Sequence, residues 1–341
     1  MTASISQSLK ERIRNWILAK IQDGKWLPGE KISSINQIAL EFDASRETVR
    51  LSLENLVQRG VLVPKQGMGY FVASQSGINL RVALLCKIDG VYVKPIYQGL
   101  VDESGENISI QINEIRQPKK ALTALLEDFI TRQAIDRILV IPEPGKEEET
   151  DAFLRPFKRR IQIGWIDKAP AKTKDPVFLC DYKTCVNIVV DNYRTTNIEQ
   201  VYYYSRNPED HSVFTTMRKT FRKAISKNSN SNLVISDWQH LLSIINRQNK
   251  PIGILAESDI EAIFLLSRLK SNNIKIPQQV SIISCDNSEI TELVTPTITS
   301  VDPGFIEVGR KVRNWINGEV ENSTPIKFYS TPILIKKESS I

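Results

Sequence analysis

Ser45-Arg46-Glu47-Thr48-Val49-Arg50-Leu51-Ser52-Leu53-Glu54-Asn55-Leu56-Val57 is the stretch from which the front of this chain is read. Val49, Leu53, Leu56 and Val57 recur at helical spacing as one apolar stripe, which leaves Arg46, Glu47, Arg50 and Glu54 outside. Ser45 stands where an N-cap belongs. Toward the N-terminus, Asp43-Ala44 interrupts an earlier helical pattern in which Ile35, Ile38, Ala39 and Phe42 share a face and Ser33 or Ser34 supplies the cap. Before it, Leu9, Ile13, Trp16, Ile17 and Ile21 mark another amphipathic helix, stopped by Gly24 and followed by a Pro28-Gly29 turn. Toward the C-terminus, Val61-Leu62-Val63-Pro64 and Tyr70-Phe71-Val72 read as two short strands around Lys65-Gln66-Gly67-Met68-Gly69, a β-hairpin wing.

Two helices joined by a short turn let the second enter a DNA major groove by its N-terminal end, where Arg46 and Arg50 lie one turn apart. An arginine there forks onto guanine or grips a phosphate, and Thr48 reaches a phosphate or a thymine methyl. Ser34, Asn36 and Ser45 sit at helix starts, where free backbone amides attract phosphate and a polar side chain adds a hydrogen bond. Glu47 suits the helix dipole but would repel a nearby phosphate, so it accepts from a cytosine amino group or points away. Lys65, Gln66 and Gly67 form the wing tip, where Gly67 and Gly69 permit a tight turn and close approach to the backbone. The competing reading is an ordinary solvated helix face, with Arg50 paired to Glu54.

Composition sets the frame. The chain has 341 residues, more than one domain usually holds, with 41% hydrophobic and 25% charged residues as in ordinary globular proteins. No apolar run reaches the ~18 residues of a membrane span, and Met1 to Lys10 lacks the order of a signal peptide, so the cytoplasm is the expected compartment. The net charge of +6 permits a polyanionic partner, and residues 1–75 carry ten Lys/Arg against seven Asp/Glu. Cys86, Cys180, Cys185 and Cys285 form no Cys-x-x-Cys pair and are expected as buried free thiols; His211 and His240 have no partner at metal-ligand spacing. Neither a metal nor a cofactor is expected.

The segments Leu27-Pro28-Gly29-Glu30-Lys31-Ile32, Ser45 to Arg50, Leu56 to Gly60 and Gly67 to Val72 resemble the GntR-type winged helix over nearly its whole length. That resemblance implies DNA contacts at Arg46, Thr48, Arg50 and Gly67. Family members often carry an arginine early in the second helix, where this chain has Asn36.

Ser74 to Leu80 is polar and reads as a linker, which divides the chain into a head at 1–73, a linker at 74–80 and a larger domain at 81–341. Beyond it, apolar runs at 82–86, 138–141, 161–166, 177–179, 201–204, 233–235, 253–256 and 280–284 alternate with helical patterns, clearest at Leu122, Leu125, Leu126, Phe129 and Ile130. Such alternation implies an α/β domain of parallel sheets covered on both faces, with ligands beyond the carboxyl ends of the strands. Asp89, Asp167, Ser258-Asp259 and Asp286-Asn287 stand at those ends, where a carboxylate bonds adjacent sugar hydroxyls or caps the next helix.

Residues 81–335, most specifically Lys275 to Asn287, Pro296 to Val301 and Gly309, resemble the LacI/GalR sensor domain, related to type I periplasmic sugar-binding proteins. The resemblance implies two subdomains joined by three crossings around a cleft. It implies effector residues Asp167, Ser258, Asp286 and Phe305, with Tyr92 near the first strand and Trp238 as a further candidate. The family usually places a ligand-reaching arginine at the position of Met217; Arg218 is one residue away, and one helical step turns a side chain by ~100°. A GntR-type head on a LacI-type sensor is the plan of the arabinose repressors, from which no arabinose specificity is read.

The leading expectation is therefore a homodimeric repressor that binds double-stranded operator DNA under control of a small molecule, a sugar or sugar derivative. An alternative keeps the DNA-binding head but makes the sensor a degenerate site used only for dimerisation. Catalysis is not expected, since no nucleophile elbow, phosphate-binding glycine loop or Ser/His pairing is present.

Overall fold

The computed structural model describes residues 9–27, 29–73, 80–88, 92–101, 108–132, 134–206, 212–225, 234–318 and 326–341. Pro28, most of the expected linker, Asp89, His211 and Leu233 lie outside them.

The front of the chain folds as read. Helices α1 (Leu9–Gln22), α2 (Ile35–Phe42) and α3 (Arg46–Gln58) are followed by an antiparallel hairpin of β1 (Leu62–Lys65) and β2 (Gly69–Val72). Ile13, Ile17, Ile38, Val49, Leu53 and Leu56 meet in one core from which water is excluded. Of the two candidate caps for α2 it is Ser34 that acts, in a reciprocal capping box with Gln37. Asp43 closes α2 in the left-handed region at φ 48, a conformation that aspartate tolerates, and this lets Ser45 cap α3 two residues later. Lys31 bridges to Phe71, so the segment before α2 lies against the wing.

Then come β3 (Leu80–Cys86), α4 (Val93–Leu100), β4 (Ile108–Glu114), α5 (Lys119–Thr131), β5 (Arg137–Val140), α6 (Glu147–Leu154), β6 (Gln162–Asp167) and β7 (Val177–Leu179). They build a first sheet of order β4-β3-β5-β6-β7, continued at its edge by β13 (Lys327–Tyr329) from near the C-terminus. The second subdomain holds α7 (Tyr182–Thr195), β8 (Gln200–Tyr204), α8 (Ser212–Ile225), β9 (Val234–Ile235), α9 (Trp238–Asn246), β10 (Ile252–Ala256), α10 (Asp259–Ser271), β11 (Val280–Cys285) and β12 (Thr299–Asp302). Helix α11 (Phe305–Ile316) returns to the first subdomain, and β14 (Ile333–Ile335) closes the second sheet, of order β14-β12-β11-β10-β8-β9. The chain thus passes between subdomains three times, as the resemblance implied.

Continuous apolar strands are needed because both sheet faces are covered. Successive side chains alternate sides, so Val82, Leu84 and Cys86 join one core with α4 and α11, while Ala83 and Leu85 join another with α5 and α6. In the second sheet Leu255 faces α7 and α8, and Ile254 and Ala256 face α9 and α10. Where α4 crosses α11, a Cβ on Gly99 would stand 2.2 Å from the carbonyl oxygen of Ile306, and one on Gly309 2.2 Å from that of Ile96. Only glycine permits that approach. All four cysteines are free and buried.

The parallel-sheet expectation needs one amendment, since β14 runs antiparallel to β12. Strands β4, β12, β13 and β14 were not among the apolar runs singled out. The edge strands β4, β13 and β14 bury little of their length and carry polar or exposed residues between apolar ones, which removes the continuous signal.

Candidate nucleic-acid interface and sensor cleft

At the head, Ser45 accepts from the Thr48 amide at 3.1 Å and its hydroxyl meets that of Thr48 at 2.8 Å, so the two hydroxyls expected to reach DNA first organise the helix start. Arg46, Glu47 and Arg50 are exposed on the N-terminal half of α3. Glu47 lies along Arg50, taking Nε at 2.9 Å and Nη2 at 2.7 Å, and Glu54 takes Nη1. The Arg50 bond holds the Glu47 carboxyl below the usual carboxylate range. Among the described residues Arg46 has no carboxylate partner.

The start of α2 and the wing come together around a groove of about 220 Å³, lined by Lys31, Ser34, Asn36, Met68, Gly69 and Tyr70. Ser34 spends its hydroxyl on the cap with Gln37, while Asn36 is exposed. Lys65 stands over the Phe71 ring at 4.2 Å, Gln66 is exposed, and Gly67 turns the wing tip at φ +70.

Behind this face, Arg59 at the C-cap of α3 reaches Asp136, at the foot of β5, with Nη2 3.1 Å from Oδ1. Asp136 also accepts from the Arg81 amide at 2.9 Å. This contact joins α3 to the larger domain directly, and nothing in the local sequence of either segment announces it.

Polar side chains of the two subdomains come together at the facing strand ends of the larger domain. At the end of β6, Asp167 is buried at φ +65; Tyr182 donates to its Oδ1 at 2.7 Å, and the ammonium of Lys168 folds back onto its other oxygen. Lys168 also stands 4.8 Å from the centre of the Tyr92 ring, which stacks on Phe305 at 6.1 Å. Burial opposes the Lys168 charge, but Asp167 and Tyr92 outweigh it and hold the ammonium above its usual range. From the second subdomain, Asp286 sits at φ 120, its carboxyl pushed up by burial and by Asp259 and Asp167. Lys94 on α4 meets Glu289, after β11, at 2.6 Å, tying one subdomain to the other.

The remaining expected effector residues divide. Ser258 caps α10, accepting from the Glu261 amide at 3.3 Å, the helix-capping alternative weighed for it. Trp238 opens α9 and lies half-buried against the α9 and α10 core. Asp89 lies outside the described residues. Met217 is in the core between α7 and α8, whereas Arg218 turns to the strand ends and meets Glu257 Oε2 with Nε at 3.1 Å and Nη2 at 2.9 Å. Tyr203 donates to the same Glu257 oxygen at 2.9 Å.

Lys168, Tyr182 and Glu257 were missed by the sequence reading, whereas Asp259 was read as a strand-end carboxylate. Asp259 accepts from the hydroxyls of Ser284, Ser288 and Ser300 and so fastens three segments of the second subdomain. The only sequence signal was adjacency, since Lys168 follows Asp167 and Glu257 follows the last residue of β10.

A winged-helix head on a two-subdomain cleft domain defines a class, the ligand-responsive DNA-binding regulators. Residues 6–72 match the bacterial regulatory proteins of the gntR family, and residues 197–340 match the periplasmic binding protein-like domain. The chain is a GntR-type DNA-binding transcriptional regulator carrying a LacI-type, periplasmic-binding-protein-like domain. It is 23% identical to the arabinose metabolism transcriptional repressor of Halalkalibacterium halodurans, over 87% of this chain and 85% of that one. The head alone is 37% identical to the histidine utilization repressor of Klebsiella aerogenes, over 20% of this chain and 28% of that protein. Among solved structures, the transcription regulator CcpA of Lactococcus lactis superposes with a TM-score of 0.61 at 18% identity, covering 77% of this chain and all of that one. A LacI family regulator from Enterococcus faecium with bound ribose gives 0.60 at 14% identity, covering 76% and 98%.

Proposed function

We propose that this chain is a cytoplasmic repressor that binds operator DNA as a homodimer through residues 1–73 and responds to a sugar or sugar derivative held in the cleft of residues 81–341. In this reading residues 74–80 link the two, and Ser34, Asn36, Ser45, Arg46, Glu47, Thr48, Arg50, Lys65, Gln66 and Gly67 face DNA. The effector is met by Tyr92, Asp167, Arg218, Asp286 and Phe305, and the chain binds without catalysing.

The observation that carries the sensor reading is the pairing of an aromatic platform, Tyr92 on Phe305, with the carboxyl groups of Asp167 and Asp286 at facing strand ends. Apolar sugar faces stack on rings while hydroxyls need fixed acceptors. The relatives support it by their names, a repressor of arabinose metabolism and a ribose-bound regulator. An effector that favours one closure of the cleft acts only by its differential affinity for the two states. The Arg59–Asp136 contact gives the closure a route to α3.

A gel shift on the DNA upstream of the gene, with and without a panel of pentoses, hexoses and their phosphates, tests this. Retardation that weakens with salt and is altered by one panel member is expected; retardation insensitive to salt overturns the DNA reading. A second reading has its own observation, because Asp167 and Arg218 are already engaged by Lys168, Tyr182 and Glu257. A sensor satisfied internally serves dimerisation alone. Calorimetry against the same panel separates the two, since saturable binding excludes the second.

A further inference from the structure

Two exposed arginines on α3 face the solvent in different electrical company. Arg46 has no carboxylate partner among the described residues, whereas Arg50 is held by Glu47 through Nε at 2.9 Å and Nη2 at 2.7 Å and by Glu54 through Nη1. A residue meant to attract phosphate gains from an uncompensated charge. One that reads a base gains from a fixed direction, because guanine offers O6 and N7 at fixed positions. Arg50, with two carboxylates against one guanidinium, is poorly arranged for the first task and well arranged for the second.

The hydrogen count agrees. A guanidinium carries five N–H donors. Glu47 takes two and Glu54 takes one. One hydrogen on Nη1 and one on Nη2 remain, the number that the O6 and N7 acceptors of a single guanine require.

We infer that Glu47 is a specificity-determining positioning residue, which grips Arg50 by its Nε/Nη2 edge so that the terminal nitrogens meet a guanine, while Arg46 serves as the phosphate anchor. This rests on the reading that α3 enters the major groove. Glu47 itself touches no base; it acts through Arg50, and the negative charge it brings near DNA is offset by the guanidinium it holds.

The test is selection of bound sites from random double-stranded DNA by the full-length protein, followed by titrations on the selected site at several salt concentrations. The wild type is expected to enrich a G·C pair whose preference Arg50→Ala abolishes. Glu47→Ala is expected to weaken preference at that same pair by roughly three- to tenfold, a fraction of what a bidentate contact supplies, while unrelated DNA is bound slightly more tightly. Arg46→Ala is expected to weaken all sequences alike and to lower the salt slope by about one. Unchanged guanine preference in Glu47→Ala overturns the inference, as does a loss at a different base pair from the one Arg50→Ala affects, which would make Glu47 a direct reader of cytosine. Enrichment of no sequence by the wild type overturns the groove reading beneath it, and so is distinguishable from both.

Discussion

Arg50–Glu47 on α3 and Arg218–Glu257 at the cleft are the same chemical pair in opposite surroundings. The side chains of the first are 47% and 60% exposed, those of the second 5% and 0%. Water competes for both members of the exposed pair, so it contributes little to folding and is free to be re-formed around a base. The buried pair has no such alternative, because removal of one member leaves a charge without solvent. Burial, and not the bond itself, decides whether an ion pair is a part of the fold or a part of the recognition surface.

The largest effect that comparison foresees is at Glu257. Glu257→Ala removes the buried carboxylate that Arg218 meets through Nε and Nη2 and the acceptor of Tyr203, and a loss of about 3–5 kcal/mol is expected in urea unfolding of the full chain. A loss under about 1 kcal/mol would show that water reaches Arg218. Asp136, between the two regions, comes next. Asp136→Ala strips Arg59 of its partner in a contact whose side chains are 8% and 15% exposed, with an expected loss of roughly 2–3 kcal/mol and faster amide exchange in the last turn of α3. Exchange confined to β5 would mean that the head does not depend on this contact.

Asp286→Asn probes the cleft by pH. Burial and the neighbouring carboxylates raise the Asp286 carboxyl in the folded state, so the folded chain binds more protons than the unfolded one between the ordinary aspartate range near ~3.9 and the raised value. The contribution of this group to stability therefore falls as pH rises through that window. The asparagine variant should be more stable than the wild type at neutral pH, with the difference closing as pH drops toward the ordinary range, which thermal melts across pH would follow. The smallest expected change is in Glu47→Ala, whose melting temperature should match the wild type even though its DNA selectivity does not.

What could be read in advance follows the same division. The head was legible because its cues are local: stripes such as Val49, Leu53 and Leu56, caps at Ser34 and Ser45, and glycines at a hairpin tip all act within a few residues. The central strands of the larger domain were legible because burial on both faces demands continuous apolar runs. Edge strands lacked that demand. Asp167 and Asp286 could be picked out as strand-end carboxylates, but the partners that define them could not. Tyr182 lies 15 residues from Asp167, and Glu257 lies 39 from Arg218, so only the fold brings them together. Met217 illustrates the limit of single-residue register. It occupies the core beneath α8 while its neighbour turns to the cleft, because α8 is buried on more than one side.

The glycine crossing of α4 on α11 also bears on how the chain comes off the ribosome. Helix α11 and strand β13 complete the first subdomain, yet they are translated only after all the strands of the second sheet but β14. Until Ile316 has emerged, Ile96 and Leu100 lack Val308 and Val312 to cover them, and the Gly99–Gly309 seam cannot close. Among the described residues the core of the head runs from Ile13 to Val72. A nascent chain therefore gains a folded winged helix early and an intact sensor last, so the larger domain is the part exposed to misassembly during synthesis.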